Sequence, residues 1–228
     1  MSKRRVRTLA SLAGLSGLVV AMVVVRVAYT GNSQYVSLLW NLFLAWIPFA
    51  LAVRVYDGYR RRVGGPWLWT GGIVWLIFFP NAPYIVTDLK YVPDFTYLRY
   101  WTGALTWYDI VLISAAAGCG LLLGFISLYL MQSVVRRALG TVNAWLFALA
   151  VLALSSFGVY LGRFQRWNSW DVFTRPGVLA ADLWSGLVDP LDHPRTIALT
   201  VFFTFFLGAT YLVFYSLAGK SIREQVER

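Results

Sequence analysis

A chain of 228 residues, 59% hydrophobic and only 13% charged, with a mean hydropathy of +0.63, falls well short of the roughly one-quarter charged residues of a soluble domain. Most of it must face lipid or other helices. The formal net charge of +10 would suit nucleic acid only if the basic residues formed one face of a soluble module; here they gather at the ends of apolar runs, which excludes nucleic acid and makes the lipid bilayer the first partner.

In chain order, Lys3, Arg4, Arg5 and Arg7 precede an apolar run from Leu9 to Val25. That resembles the start of a signal peptide, but the run is long, and Arg26 stands where cleavage needs a small residue. The sequence therefore predicts an uncleaved first span over 8–28. A polar turn follows, then a second uncharged run over 35–53, closed by Arg54, Arg60, Arg61 and Arg62. The third covers 66–87, the fourth 110–135 (closed by Arg136 and Arg137), the fifth 139–161 and the sixth 197–219. About 20 apolar residues at 1.5 Å rise cross a bilayer, and each run supplies them. The expectation is an all-α, polytopic integral membrane protein, one membrane domain over 1–228. Cys119 lies within an apolar run and reads as an inert core residue.

The third span breaks its own pattern. Pro80 and Pro83 each remove a backbone donor and clash with the carbonyl four residues back, so the helix kinks or unwinds there. Irregular backbone at membrane depth survives only when buried in protein or lining a watery cavity. Asn81, Tyr84 and Asp88 recur at three and four residues, which places them near one face where helical geometry resumes.

Two stretches lie between spans and are rich in aromatics. Residues 88–109 interleave Asp88, Lys90, Asp94, Arg99 and Asp109 with seven tyrosines, tryptophans and phenylalanines, and 162–195 is again rich in tryptophan and charge. Amphipathic aromatics sit at headgroup level, so both are expected to be interfacial loops. Thirteen of the twenty Lys and Arg residues fall on the side of the termini and six on the other. The positive-inside rule then puts both termini in the cytoplasm and the aromatic loops outside, in what reads as a bacterial cytoplasmic (inner) membrane.

This topology brings Asn41, Asn81, Tyr84, Asp88, Asp109 and Arg163 to similar depth at the outer end. Arg163, Arg166, Asn168 and Asp171 follow one another in the loop after the fifth span. Arginine beside asparagine and aromatics suits a phosphate or carboxylate, because the guanidinium fork matches those oxygens. In the ligand reading, Asn41, Asn81, Tyr84, Arg163, Arg166, Asn168 and Asp171 bind substrate, and Asp88 or Asp109 acts as base. In the structural reading, the same aspartates pair with Arg163 and Arg166 to pin the loops onto the helix ends. Both stay open, although polar groups near a membrane default to functional candidates.

Asn41 and Asn143 read first as interhelical hydrogen-bonding residues. Ala116, Gly120 and Gly124, and Gly158 with Gly162, are small residues at four-residue spacing that allow close helix packing. The similar neighbours of Asn41 and Asn143 also hint at an inverted repeat of three spans, though the Pro80–Pro83 break has no counterpart in the sixth span. One histidine, His193, and one buried cysteine argue against zinc. No Ser–His pair or phosphate-binding glycine loop occurs. No cofactor is expected, with a divalent cation on Asp88, Asp109 and Asp171 as the alternative. The span centres carry no ionisable groups, which counts against an ion-coupled transporter.

Four stretches, Trp40 to Pro48, Phe79 to Leu89, Trp107 to Asp109 and Gly162 to Asp171, together resemble the signature of a bacterial family of membrane proteins known as domain of unknown function thirteen-sixty-one. The likeness runs from Tyr35 to the sixth span. It implies a multi-pass membrane protein and no established activity. The functions in view are therefore binding or processing of an anionic lipid headgroup or lipid-linked substrate, a non-catalytic subunit or scaffold docking a membrane protein partner through its outer loops, and, third, transport of a small solute.

Overall fold

The computed structural model describes residues 3–91, 103–178, 181 and 194–226. The described residues are mostly helical, without strands, and six helices are long and apolar enough to cross a membrane. They are α1 (Lys3–Thr30), α2 (Val36–Arg60), α3 (Gly65–Phe78) continuing through a broken end, α5 (Ala104–Leu139), α6 (Thr141–Phe164) and α8 (Pro194–Val226). The broken end consists of the single turn α4 (Asn81–Tyr84) and a 3-10 segment, Ile85–Tyr91. A short turn, α7 (Asp171–Thr174), follows α6.

Each helix boundary has a local cause. The α2 helix stops at a left-handed Arg62 (φ 56°). There the Val63 amide reaches back to the Gly58 carbonyl and the Arg62 amide to that of Tyr59, the pair of bonds that closes a Schellman turn. The boundary between α5 and α6 is Gly140 at φ 88°, where a side chain would be strained.

The bundle is organised on α5, which packs on α1, α2, α6, α8 and the broken end of the third span. One buried cluster joins Val19, Leu38, Leu112 and Ile113 of α1, α2 and α5. A second gathers Trp75, Phe79, Leu128, Leu152 and Leu207 from α3, α5, α6 and α8. Trp75 is fully buried and donates its indole N–H to Ser127 at 2.9 Å, as a buried indole requires. Leu18, Val24, Phe202, Phe205 and Leu212 are exposed, and on membrane helices such residues are the lipid-facing surface. At the end of the bundle holding the N-terminus, Arg5 donates twice to Asp57, at 2.9 and 2.8 Å.

Several boundaries differ from the sequence reading. Trp107, Tyr108 and Asp109, expected in an interfacial loop, stand in the first turns of α5, which begins at Ala104. Belt aromatics serve a helix end at the interface as well as they serve a loop, so composition alone did not separate the two. Asn143, expected to bond across helices, is exposed and closes locally on the Leu139 carbonyl at 2.8 Å. Asp94, Arg99 and His193 lie outside the described residues.

Candidate functional site

The site begins with the break in the third span. Pro80 and Pro83 cannot donate, and the bonds that remain are short-range. The Ala82 amide bonds to the Phe79 carbonyl and that of Tyr84 to the Pro80 carbonyl. The chain makes one turn and tightens into the 3-10 segment.

Two pairs of glycines hold this turn. A Cβ on Gly120 would stand 2.6 Å from the Ala82 carbonyl oxygen, and one on Gly124 would meet the Ala82 Cβ at 3.1 Å. From the other side, a Cβ on Gly158 would meet Pro80 Cγ at 2.8 Å, and one on Gly162 would meet the Tyr84 ring at 3.2 Å. Both small-residue stripes therefore receive the broken segment, where a straight helix was the ordinary expectation.

The turn aims its polar groups at the outer end of α6. Asp88 is 1% exposed. Asn41 Nδ2 donates to its Oδ2 at 2.7 Å, and Arg163 Nη1 donates to its Oδ1 at 3.3 Å. The same Nη1 also reaches the Tyr84 hydroxyl at 3.3 Å, while Nη2 donates to the Thr87 carbonyl at 2.7 Å. The guanidinium lies 5.6 Å from the ring centroids of both Tyr84 and Tyr91, within cation–π range. Three of the four signature stretches thus meet around one arginine.

Asn81 does not touch Asp88. Its Nδ2 donates to the Phe78 carbonyl at 2.9 Å and to the Ser169 hydroxyl at 2.8 Å, which ties the loop after α6 to the break. Asp171 is turned into that loop. It accepts from the Asn168 amide at 2.8 Å and from the Thr174 hydroxyl at 3.3 Å, with Arg175 at 3.9 Å. The Asn168 amide bond, first among these, holds the Asp171 carboxyl below the usual carboxylate range. Asp171 thus shapes the loop and stays out of the Asp88 cluster. Arg166 is exposed, left-handed at φ 61°, and has no side-chain partner among the described residues. Asn168 is exposed beside it.

Asp109 belongs to a second, separate set. Arg26 grips it with two bonds, Nε to Oδ1 at 2.6 Å and Nη2 to Oδ2 at 2.9 Å, and the Tyr35 hydroxyl adds a third at 2.9 Å. Burial, and then the hydrogen bond to this carboxylate, push the Tyr35 phenol up to about 12. Beside it the Tyr108 hydroxyl donates to the Met22 carbonyl at 2.7 Å. Neither Arg26 nor Tyr35 was a sequence candidate. Arg26 carried a usable signal, because a lone charge at the end of an apolar run demands a partner.

Asp88, Asp109 and Asp171 each sit in a different hydrogen-bond set. Among the described residues no group of three or more His, Cys, Asp or Glu is placed to hold a metal ion.

No curated protein and no solved structure matches the chain. A family model described as protein of unknown function (DUF1361) matches residues 40–210 of the 228, an interval that contains every side chain around Arg163. On that match the chain, itself a multi-pass membrane protein by its six spans, belongs to the DUF1361 family, whose function is unknown.

Proposed function

We propose that the protein binds the anionic headgroup of a lipid or lipid-linked substrate at the outer end of the broken third span. Arg163 is the anchor, and Asp88 is the counter-ion that the ligand displaces. The observation that supports this reading is the contrast between the two ion pairs of the bundle. Arg26 and Asp109 are joined by two short bonds with a tyrosine as third donor, the geometry of a permanent strut. Arg163 meets Asp88 through one 3.3 Å contact that it shares with Tyr84. The Thr87 carbonyl and two aromatic faces position the guanidinium, but its charge is only loosely paired with a carboxylate, and the exposed Arg166 and Asn168 stand on the adjoining loop. An incoming phosphate or carboxylate would offer Arg163 a bidentate partner in place of a single bond.

In this reading the protein lies in a bacterial cytoplasmic membrane with both termini in the cytoplasm, an orientation that the distribution of Lys and Arg supports. Asn41 retains the displaced Asp88, and Arg166 makes the first contact with the headgroup. A scaffold role is the second reading, favoured by one observation: Asp88 and Asp109 are both buried and both already paired with arginine.

Native mass spectrometry of the detergent-purified full chain tests the proposal, with phosphatidylglycerol and a polyprenyl phosphate as probes. One of the two should bind in an Arg163-dependent way, and Arg163→Gln should weaken it at least tenfold. Equal binding by parent and variant for both probes would support the scaffold.

A further inference from the structure

A second site of distinct position emerges at the opposite end of the bundle. Asn41 and Arg60 lie on the same helix, 19 residues apart, so about 28 Å of helix separates that end from Asp88. There a cavity of about 620 Å³ opens between the last turn of α2, the turn into α3 and the end of α5. Its lining includes Arg60, Arg62 and Arg137, together with Tyr59, Val63 and Leu68. All three arginines are exposed. Among the described residues no carboxylate lines the cavity; the nearby Asp57 is engaged by both nitrogens of the Arg5 fork.

The backbone adds an independent observation. Arg62 occupies the left-handed position of the Schellman turn, a place at which glycine is the low-strain choice. Gly64 and Gly65 follow immediately. The sequence thus sets an arginine at the strained position and glycines beyond it, which gives the turn its arginine lining, while Gly64 and Gly65 add no side chain to the wall. Apolar and aromatic groups then continue away from the charge. Leu68 lies in the wall, and Trp67 and Trp69 are exposed on the first turns of α3, where belt residues meet the headgroup layer.

We infer that this cavity holds the phosphodiester of an anionic glycerophospholipid, with Arg60, Arg62 and Arg137 around the phosphate and the acyl chains running along α3 past Leu68. Phosphate is the chemistry the three guanidinium groups recognise. The apolar wall and the tryptophans select the lipid-borne form over the free ion. The site is structural or regulatory by position, and it is independent of the Arg163 anchor.

The experiment uses the full chain in a zwitterionic detergent, with the Arg60→Gln/Arg62→Gln/Arg137→Gln triple variant beside the parent and Arg163→Gln. Bound phosphatidylglycerol, phosphatidylcholine and inorganic phosphate are counted by native mass spectrometry. Parent and Arg163→Gln should both retain a phosphatidylglycerol that phosphatidylcholine does not replace. In the triple variant its affinity should fall on the order of a hundredfold, from about one kcal/mol per basic residue at a membrane surface. A single Arg62→Gly variant, which relieves the turn while removing one cation, should lose several-fold and stay as heat-stable as the parent, so a misfolded triple variant would not decide the matter. Unchanged phosphatidylglycerol binding in Arg62→Gly and the triple variant would overturn the inference. So would inorganic phosphate competing as well as the lipid, because the cavity would then be a free-phosphate site. Loss of all bound phosphatidylglycerol in Arg163→Gln, with the triple variant unchanged, would put the lipid at the outer site and likewise overturn the inference.

Discussion

Gly120 of α5 lies so close to Ala82 that a Cβ on it would stand 2.6 Å from the Ala82 carbonyl oxygen. The contact is with backbone, which cannot rotate away as a side-chain tip can. The helix carrying Gly120 and the broken turn are therefore fixed against each other, and through that turn the positions of Tyr84 and Asp88 are fixed as well.

Replacing Gly120 with alanine should cost roughly 1–3 kcal/mol, the usual range for overpacking a dense contact, despite the better helix propensity of alanine. Gly158→Ala, which would press on Pro80 at 2.8 Å, should behave alike. Gly118→Ala has open space around it and should be neutral or slightly stabilising. Thermal unfolding of the three purified variants in one detergent checks the order; a Gly120→Ala protein as stable as Gly118→Ala would remove the cradle from the account.

Tyr35 gives a pH signature. Its phenol is pushed from 10.0 to about 12, so the folded protein holds a proton that the unfolded chain gives up. The stability it lends is whole below pH 10 and drains away between pH 10 and 12, by up to about 3 kcal/mol. Tyr35→Phe should lose the Asp109 hydrogen bond at every pH and show a shallower decline over that interval. Parallel slopes for parent and variant from pH 9 to 12 would contradict the assignment.

Much of this architecture was legible in the sequence. Six uncharged runs bounded by arginine gave six spans, because the bilayer tolerates little else. Pro80 and Pro83 announced the break, because no helix can keep its bonds across them. What packs on the break was not legible. Gly120, Gly124, Gly158 and Gly162 spelled close packing, yet small residues do not say whether a helix or an irregular turn fills the space. The choice among Asp88, Asp109 and Asp171 as partner of Arg163 was likewise beyond spacing arguments. Arg26 went unread as the grip on Asp109, because its partner lies 83 positions away and only the fold brings the two together.

The loop after α6 should depend on Asp171. Its carboxyl, held below the usual range by the Asn168 amide, orders the loop at and above ordinary carboxylate pH. That contribution disappears as pH falls through the lowered value. Asp171→Asn should raise amide hydrogen exchange over residues 168–175 while leaving the exchange of α5 and α6 unchanged. Exchange in the loop equal to that of the parent would show that Asp171 does not shape it.

The most direct test sets the two ion pairs against each other in double-mutant cycles of thermal stability. For the strut, Arg26→Gln and Asp109→Asn should each cost about 3–5 kcal/mol, as when one partner of a buried pair is left alone, and the double variant should recover much of the loss. For the exchangeable pair, Asp88→Asn should cost about 1 kcal/mol, since the 3.3 Å contact with Arg163 contributes about as much as one ordinary hydrogen bond; Arg163→Gln, which also gives up the 2.7 Å bond to the Thr87 carbonyl, should cost about 2 kcal/mol, with little recovery in the double variant. A cycle at Asp88 and Arg163 with the same large single costs and the same rescue as the cycle at Asp109 and Arg26 would make both pairs struts and contradict the binding site.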